Sequence, residues 1–163
     1  MNDALDVCQY YVDYQRSPLG RTHYLQWGSL RYAANAAFIC LQVSDLAEDE
    51  SKSDNFREYA LGQIEYMLGT TGRSFVCGIG NNPPQRPHHR SSSCPDSGSC
   101  DWNDFNNPGP NPHTLYGALV GGPQYESSDT ISDRRDDFVE SEVATDYNAG
   151  FQSTLAGLLS KTC

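Results

Sequence analysis

Residues 26–44 carry Trp27, Leu30, Ala34, Ala37, Phe38 and Leu41 at the three- and four-residue spacing of one helical face. The string AANAA, residues 33–37, keeps that face narrow. Small side chains let a second helix approach closely, so this segment commits the chain to packing helix on helix. Three other stretches share the period. Residues 3–14 place Leu5, Cys8, Tyr11 and Val12 on one side, and SPLGR at 17–21 then breaks the pattern. Residues 54–68 line up Phe56, Ala60, Ile64 and Leu68, with Ser53 or Asp54 available to cap the start and Gly69 suited to the end. Residues 146–160 align Tyr147, Phe151, Leu155 and Leu158.

Between the third and last of these the chain changes character. Residues 70–125 collect most of the Gly and Pro, in strings such as NNPP, PDSG and NPGPNP. Helical spacing returns only in a short piece at 112–119. A connection this long inside a compact domain is uncommon and usually functional. The chain of 163 residues is long enough for one domain with a sizeable core. The expected class is all-α, with long polar loops gathered on one side like the wall of a binding site.

Charge narrows the partners. A net charge of -10 repels phosphate backbones, which argues against nucleic acid and is compatible with a neutral polymer such as a polysaccharide. No run approaches the roughly 20 apolar residues of a membrane span. The start, MNDALDVCQYYVDY, lacks the basic region and apolar core of a signal peptide, and a mature or truncated secreted chain would read the same. The 6 cysteines include no C-x-x-C pair of the kind that holds zinc. Cys94 and Cys100 flank a short Ser/Gly/Pro loop compatible with a disulfide or with two thiols. Cys8 and Cys40 sit on apolar helical positions, where a buried free thiol is the commoner state; Cys77 and Cys163 have no evident partner.

Two segments carry chemistry. In SFVCGIGNNPPQRPHHR, residues 74–90, a β-type run passes through two glycines and is stiffened by Pro83, Pro84 and Pro87 before delivering His88, His89 and Arg90. Proline limits backbone freedom, so such a loop loses less entropy when it binds. Imidazole and guanidinium are suitable donors to sugar hydroxyls. The adjacent histidines should point in different directions, and no further ligands stand at metal-like spacing, so no metal is expected. The second segment, ISDRRDDFVESEVATDYNAGF, residues 131–151, holds Asp133, Asp136, Asp137, Glu140, Glu142 and Asp146. Such a run is usually a solvated face. This one leads into an apolar helix, so its last carboxyls approach the core, where desolvation and crowding by like charges raise a carboxyl's pKa.

Both segments resemble the signature regions of family 9 glycoside hydrolases. Gly80, Asn82, Pro87, His88 and Arg90 match the first, and Asp133, Phe138, Glu142, Ala144, Asn148 and Ala149 match the second. WGSLRYAANAAF, YALGQIEYMLG, GRSFV, SSSCP and GALVGGP are similar to the same family in the same order, most of all to animal and bacterial endoglucanases. The resemblance runs from about Tyr24 onward. Cys77, Gln124, Ile131 and Arg134 depart from the family pattern.

The resemblance implies an (α/α)6 barrel with an open cleft and hydrolysis of β-1,4-glucosidic bonds with inversion. Inversion needs a protonated carboxyl at the leaving oxygen and a second carboxylate to activate water. By similarity Glu142 is the acid, Asp133 an associated active-site carboxylate, and His88 and Arg90 hydrogen-bond the adjoining glucosyl unit. Tyr147 lines the same subsite. Trp27 is either a sugar platform or the first residue of the core stripe. The family's base lies in an Asp-Ala-Gly-Asp segment, and this sequence holds none. Residues 1–163 are therefore expected to be a C-terminal fragment of one catalytic domain, a partial barrel forming one side of the cleft. The expected partner is cellulose or a related β-glucan, with no cofactor. The fragment should hydrolyse it poorly, and should associate through the face left by the missing half. A β-glucan-binding remnant without catalysis is the alternative, and the parent protein is expected to be secreted.

Overall fold

In the computed structural model, which describes residues 2–160, each of the four long stretches of helical spacing becomes a helix. In chain order the elements are α1 (Asn2–Asp13), α2 (Ser29–Ser44), α3 (Glu50–Leu68), α4 (Arg90–Ser93), α5 (Trp102–Asn106) and α6 (Thr145–Ser160). The all-α expectation holds. α2 is central, and α1, α3 and α6 pack on it. Its small residues do what their spacing implies. Gly150 of α6 lies so close to α2 that a Cβ there would stand 2.8 Å from the Asn35 nitrogen and 2.9 Å from the Ala34 carbonyl carbon.

The main core joins Leu30, Ala33 and Ala34 of α2 to Ile64 and Met67 of α3 and Phe151 of α6. Phe75, Val76, Leu119 and Val120 enter it from the loop half. Each large apolar side chain buried there contributes roughly 1.5–3 kcal/mol. A second cluster, Cys8, Ala36, Cys40, Val43, Phe56 and Tyr59, seals α1 against α2 and α3.

Three expectations are corrected. α3 starts earlier than residue 54: Asp49 is its cap, accepting from the Ser51 amide at 2.9 Å and the Lys52 amide at 3.4 Å. Ser53 lies one turn inside and gives its hydroxyl to the Ser44 carbonyl at 2.8 Å, while Asp54 pairs with Arg57. Residues 112–119 are not helical: Pro110 and Pro112 restrict the backbone at the start of the stretch, and Gly117 takes φ 83. Leu119 and Val120 instead form isolated antiparallel bridges with Val76 and Val143. Finally, Cys8 and Cys40 are bonded to each other, with Cα atoms 5.1 Å apart. Periodicity put each on an inner face without showing that the faces meet. Cys94 and Cys100 are bonded as well. The Cys77 thiol is buried, and that burial pushes its pKa up to about 12. Cys163 lies outside the described residues. The closing end of α3 is as expected: Gly69 takes φ 96 and donates to the Glu65 carbonyl. Among the described residues no helix is long and apolar enough to cross a membrane.

Candidate active site

The site forms where three loop strands meet beside the N-terminal ends of α2 and α6. His88 pairs in parallel with Glu142, its amide donating to the Ser141 carbonyl at 2.8 Å. On the other side the Gly121 amide donates to the Glu142 carbonyl at 2.9 Å. The backbone at Glu142 is thus held from both flanks.

The Glu142 side chain accepts from two neutral donors, both at Oε2: Trp27 Nε1–H at 2.8 Å and the Tyr147 hydroxyl at 2.5 Å. Tyr147 is buried in the first turn of α6. Its hydroxyl rests against Gly28, which caps α2 with φ 66; a Cβ at Gly28 would stand 3.0 Å from that oxygen. Burial first, and the Glu142 bond second, raise the pKa of the Tyr147 phenol. A raised phenol pKa means the proton stays on through neutral pH, so Tyr147 remains a donor. Trp27 does not open the core stripe. It precedes the cap of α2 and is 47% exposed. Arg31 binds Asp146 at 2.7 Å and lies over the Tyr147 ring, tying α2 to the start of α6.

His88 points its Nδ1 at the Arg135 carbonyl, 2.6 Å away. A carbonyl only accepts, so Nδ1 carries the hydrogen and Nε2 is the atom left to meet a ligand. His89 turns elsewhere: its Nδ1 accepts from the Ser92 amide and caps α4. Beside His88 stand Phe105 and Phe138, with ring centroids at 5.7 and 6.1 Å. Phe138 in turn contacts Trp27, and Phe105 contacts Trp102, whose ring lies under the Arg90 guanidinium. An aromatic row therefore links Trp27 to Arg90 past His88.

Asp133 sits at φ 46 and accepts from the Gln85 and Arg86 amides at 3.1 Å. The structure thus joins it to the loop that carries His88. The other carboxylates of the acidic run have separate tasks. Asp137 accepts from the Glu140 amide and Ser132 hydroxyl, Glu140 from the Gln124 and Ser132 amides, and Asp136 from Arg134. The acidic run is thus largely a set of backbone caps and not a merely solvated face. Trp102, Phe105 and Arg135 escaped sequence reasoning. The Asp101…Asp104 spacing was the available signal for α5, since these residues form its capping box. No group of three or more His, Cys, Asp or Glu among the described residues could hold a metal ion.

Residues 1–155 match the sequence profile described as Glycosyl hydrolase family 9, beginning ahead of Tyr24. Endoglucanase A of Bacillus pumilus is 46% identical over 137 residues, which cover 82% of this chain and 20% of that protein. The endoglucanase of the termite Nasutitermes takasagoensis superposes with a TM-score of 0.92 at 51% identity, over 99% of this chain and 37% of its own. Endoglucanase CelQ of Clostridium thermocellum, solved with cellobiose and cellotriose, superposes with a TM-score of 0.81 at 41% identity, over 91% of this chain and 24% of its own. The chain thus spans a fifth of the curated relative and 37% and 24% of the two solved structures.

Proposed function

The chain belongs to glycosyl hydrolase family 9, and from that premise we propose that it forms the acid-bearing side of an endo-β-1,4-glucanase cleft. It is a partial (α/α)6 barrel, and residues 1–163 are the C-terminal portion of one catalytic domain. The observation that carries the reading is the donor pair on Glu142. Trp27 and Tyr147 both bond Oε2, so a proton on Glu142 belongs on Oε1, free to pass to a glucosidic oxygen. Donation of that proton as the C–O bond breaks, with water attacking the opposite face, is inverting hydrolysis. His88 Nε2 and Arg90 bind hydroxyls of the adjoining glucosyl unit, and Trp27, Phe138 and Trp102 offer faces for pyranose rings. Asp133 acts by shaping the His88 loop through its two amide bonds.

The water-activating carboxylate of the family's Asp-Ala-Gly-Asp segment is not in this sequence. General base catalysis contributes about a hundred- to ten-thousand-fold, so the 163-residue chain binds a cello-oligosaccharide and cleaves it slowly. The exposed face around Tyr10, Tyr24 and Leu25 is where the remainder of a family 9 barrel would associate. The parent protein is proposed to be secreted. Calorimetry with cellotetraose, followed by product analysis, tests the reading. Binding with little turnover, and loss of the residual turnover in Glu142→Gln with binding retained, is expected. Brisk turnover that survives Glu142→Gln, or no binding at all, would overturn it.

A further inference from the structure

Arg135 sits two residues beyond Asp133 in a run whose other charges face solvent or cap loops, yet it is only 5% exposed. Among the described residues its guanidinium donates only to neutral oxygens. Its Nε–H goes to the Asn111 side-chain oxygen at 2.7 Å. Its Nη1 hydrogens go to the carbonyls of Phe105 at 2.5 Å and Asn107 at 2.7 Å, and Nη2 donates to Gly109 at 3.0 Å. A buried guanidinium surrounded only by neutral acceptors is costly unless those acceptors are fixed. Burial, and Arg86 nearby, lower its pKa accordingly. The arrangement pins residues 104–109, which carry Phe105, to the backbone at residue 135. The same residue's own carbonyl is the acceptor for His88 Nδ1–H. Asn111 closes the circuit: its side-chain amide donates to the Pro87 carbonyl at 3.2 Å and to Ser92 Oγ at 2.6 Å, on either side of His88.

We propose that Arg135 is the positioning residue of the sugar subsite: its guanidinium sets the carbonyl that fixes the His88 tautomer, and it holds Phe105 against the His88 ring. Arg135 touches no ligand itself. It decides that His88 presents a bare Nε2, an acceptor for a hydroxyl hydrogen, and not the Nε2–H form that a free imidazole favours. The adjacent Arg134 has no such part; it pairs with Asp136 at 2.6 Å in solvent. The proposal rests on the β-glucan reading only for what the subsite binds; the tautomer and the packing stand without it.

The test uses the whole chain, labelled with 15N in its histidines. In the ligand-free wild type, two-bond imidazole correlations at neutral pH should show His88 with Nδ1 protonated and Nε2 bare. A dominant Nε2–H form in the wild type overturns the proposal without any variant. Arg135→Met should move His88 toward Nε2–H and weaken cellotetraose binding roughly tenfold, about one hydrogen bond's worth. Arg134→Met should change neither. A His88 tautomer and an affinity both unmoved in a folded Arg135→Met would also overturn it. Arg135→Lys separates charge from geometry, since one ammonium cannot span the same carbonyls; wild-type behaviour of that variant would contradict the role assigned to the fork. If the wild type shows the bare Nε2 but binds no cellotetraose, the β-glucan reading fails and the positioning role survives.

Discussion

The helical half and the loop half of this molecule are held together by different means. In α1, α2, α3 and α6 the backbone satisfies itself, and stability comes from apolar faces pressed closely together, as where Gly150 meets Ala34. In residues 70–144 there is little regular structure, and side chains take over the hydrogen bonds that a helix or sheet would supply. Asp133 receives the amides of residues 85 and 86, Arg135 gathers carbonyls from residues 105–109, and Asn148 of α6 holds the Leu119 amide and the Gly117 carbonyl. One half tolerates changes on its surface and not in its interior. The other depends on single polar residues, many of them in view of solvent. The chemistry lies in the second half because irregular backbone can present side chains at angles no helix offers, and the first half keeps that backbone in place.

The sharpest way to break this contrast is in the helical core. Phe56→Ala should cost about 3–5 kcal/mol, the range for a large aromatic removed from a packed interior. Urea unfolding followed by far-ultraviolet circular dichroism measures it; a loss well under 1 kcal/mol would mean that the α1–α2–α3 cluster is not tightly packed. Next come the disulfides. Chain entropy assigns about 3–4 kcal/mol to Cys8–Cys40, which closes the longer loop across α1 and α2, and about 2 kcal/mol to Cys94–Cys100. Replacing each pair by Ser and comparing melting temperatures should give the larger drop for Cys8–Cys40; the reverse order would place the vulnerable staple in the loop half.

Asp133→Asn gives a smaller and more local effect. It weakens charge-assisted bonds to the two amides, at about 1–3 kcal/mol. Hydrogen exchange should accelerate at residues 85–86 while α2 and α3 exchange as before. A uniform acceleration would show that the halves are not separable. Smallest is Arg134→Ala, which removes an exposed ion pair and should leave the unfolding midpoint unchanged within scatter.

The same contrast explains what was legible in the sequence. The stripe of Leu30, Ala34, Ala37 and Leu41 announces α2 because a helix repeats its environment every three or four residues. The start of α3 is ambiguous in the sequence because several polar residues precede it, and only the geometry shows that Asp49 turns to cap while Ser53 is already inside. Glu142, His88 and Tyr147 were found through ordered resemblance, and they converge. For Trp27 the sequence allows platform or core; its exposure and its bond to Glu142 exclude the core. Arg135 could not be found in this way. Next to Arg134 in an acidic run, it looks like one more solvated charge, and its burial depends on residues 104–111, distant in the chain. The Cys8–Cys40 bond was missed for the same reason, since pairing across two helices is a tertiary fact.

The most direct test of the central claim is a cellotetraose titration of the 15N-labelled chain, followed at the Trp27 indole N–H. That hydrogen is bonded to Glu142 Oε2, so it reports on the proposed acid itself. The account predicts a saturable shift of the Trp27 signal together with His88 and the Arg90 side chain, and no comparable change on the outer face of α3. No shift at Trp27 and His88 at saturating sugar, or shifts confined to the exposed Tyr10 of α1, would contradict it.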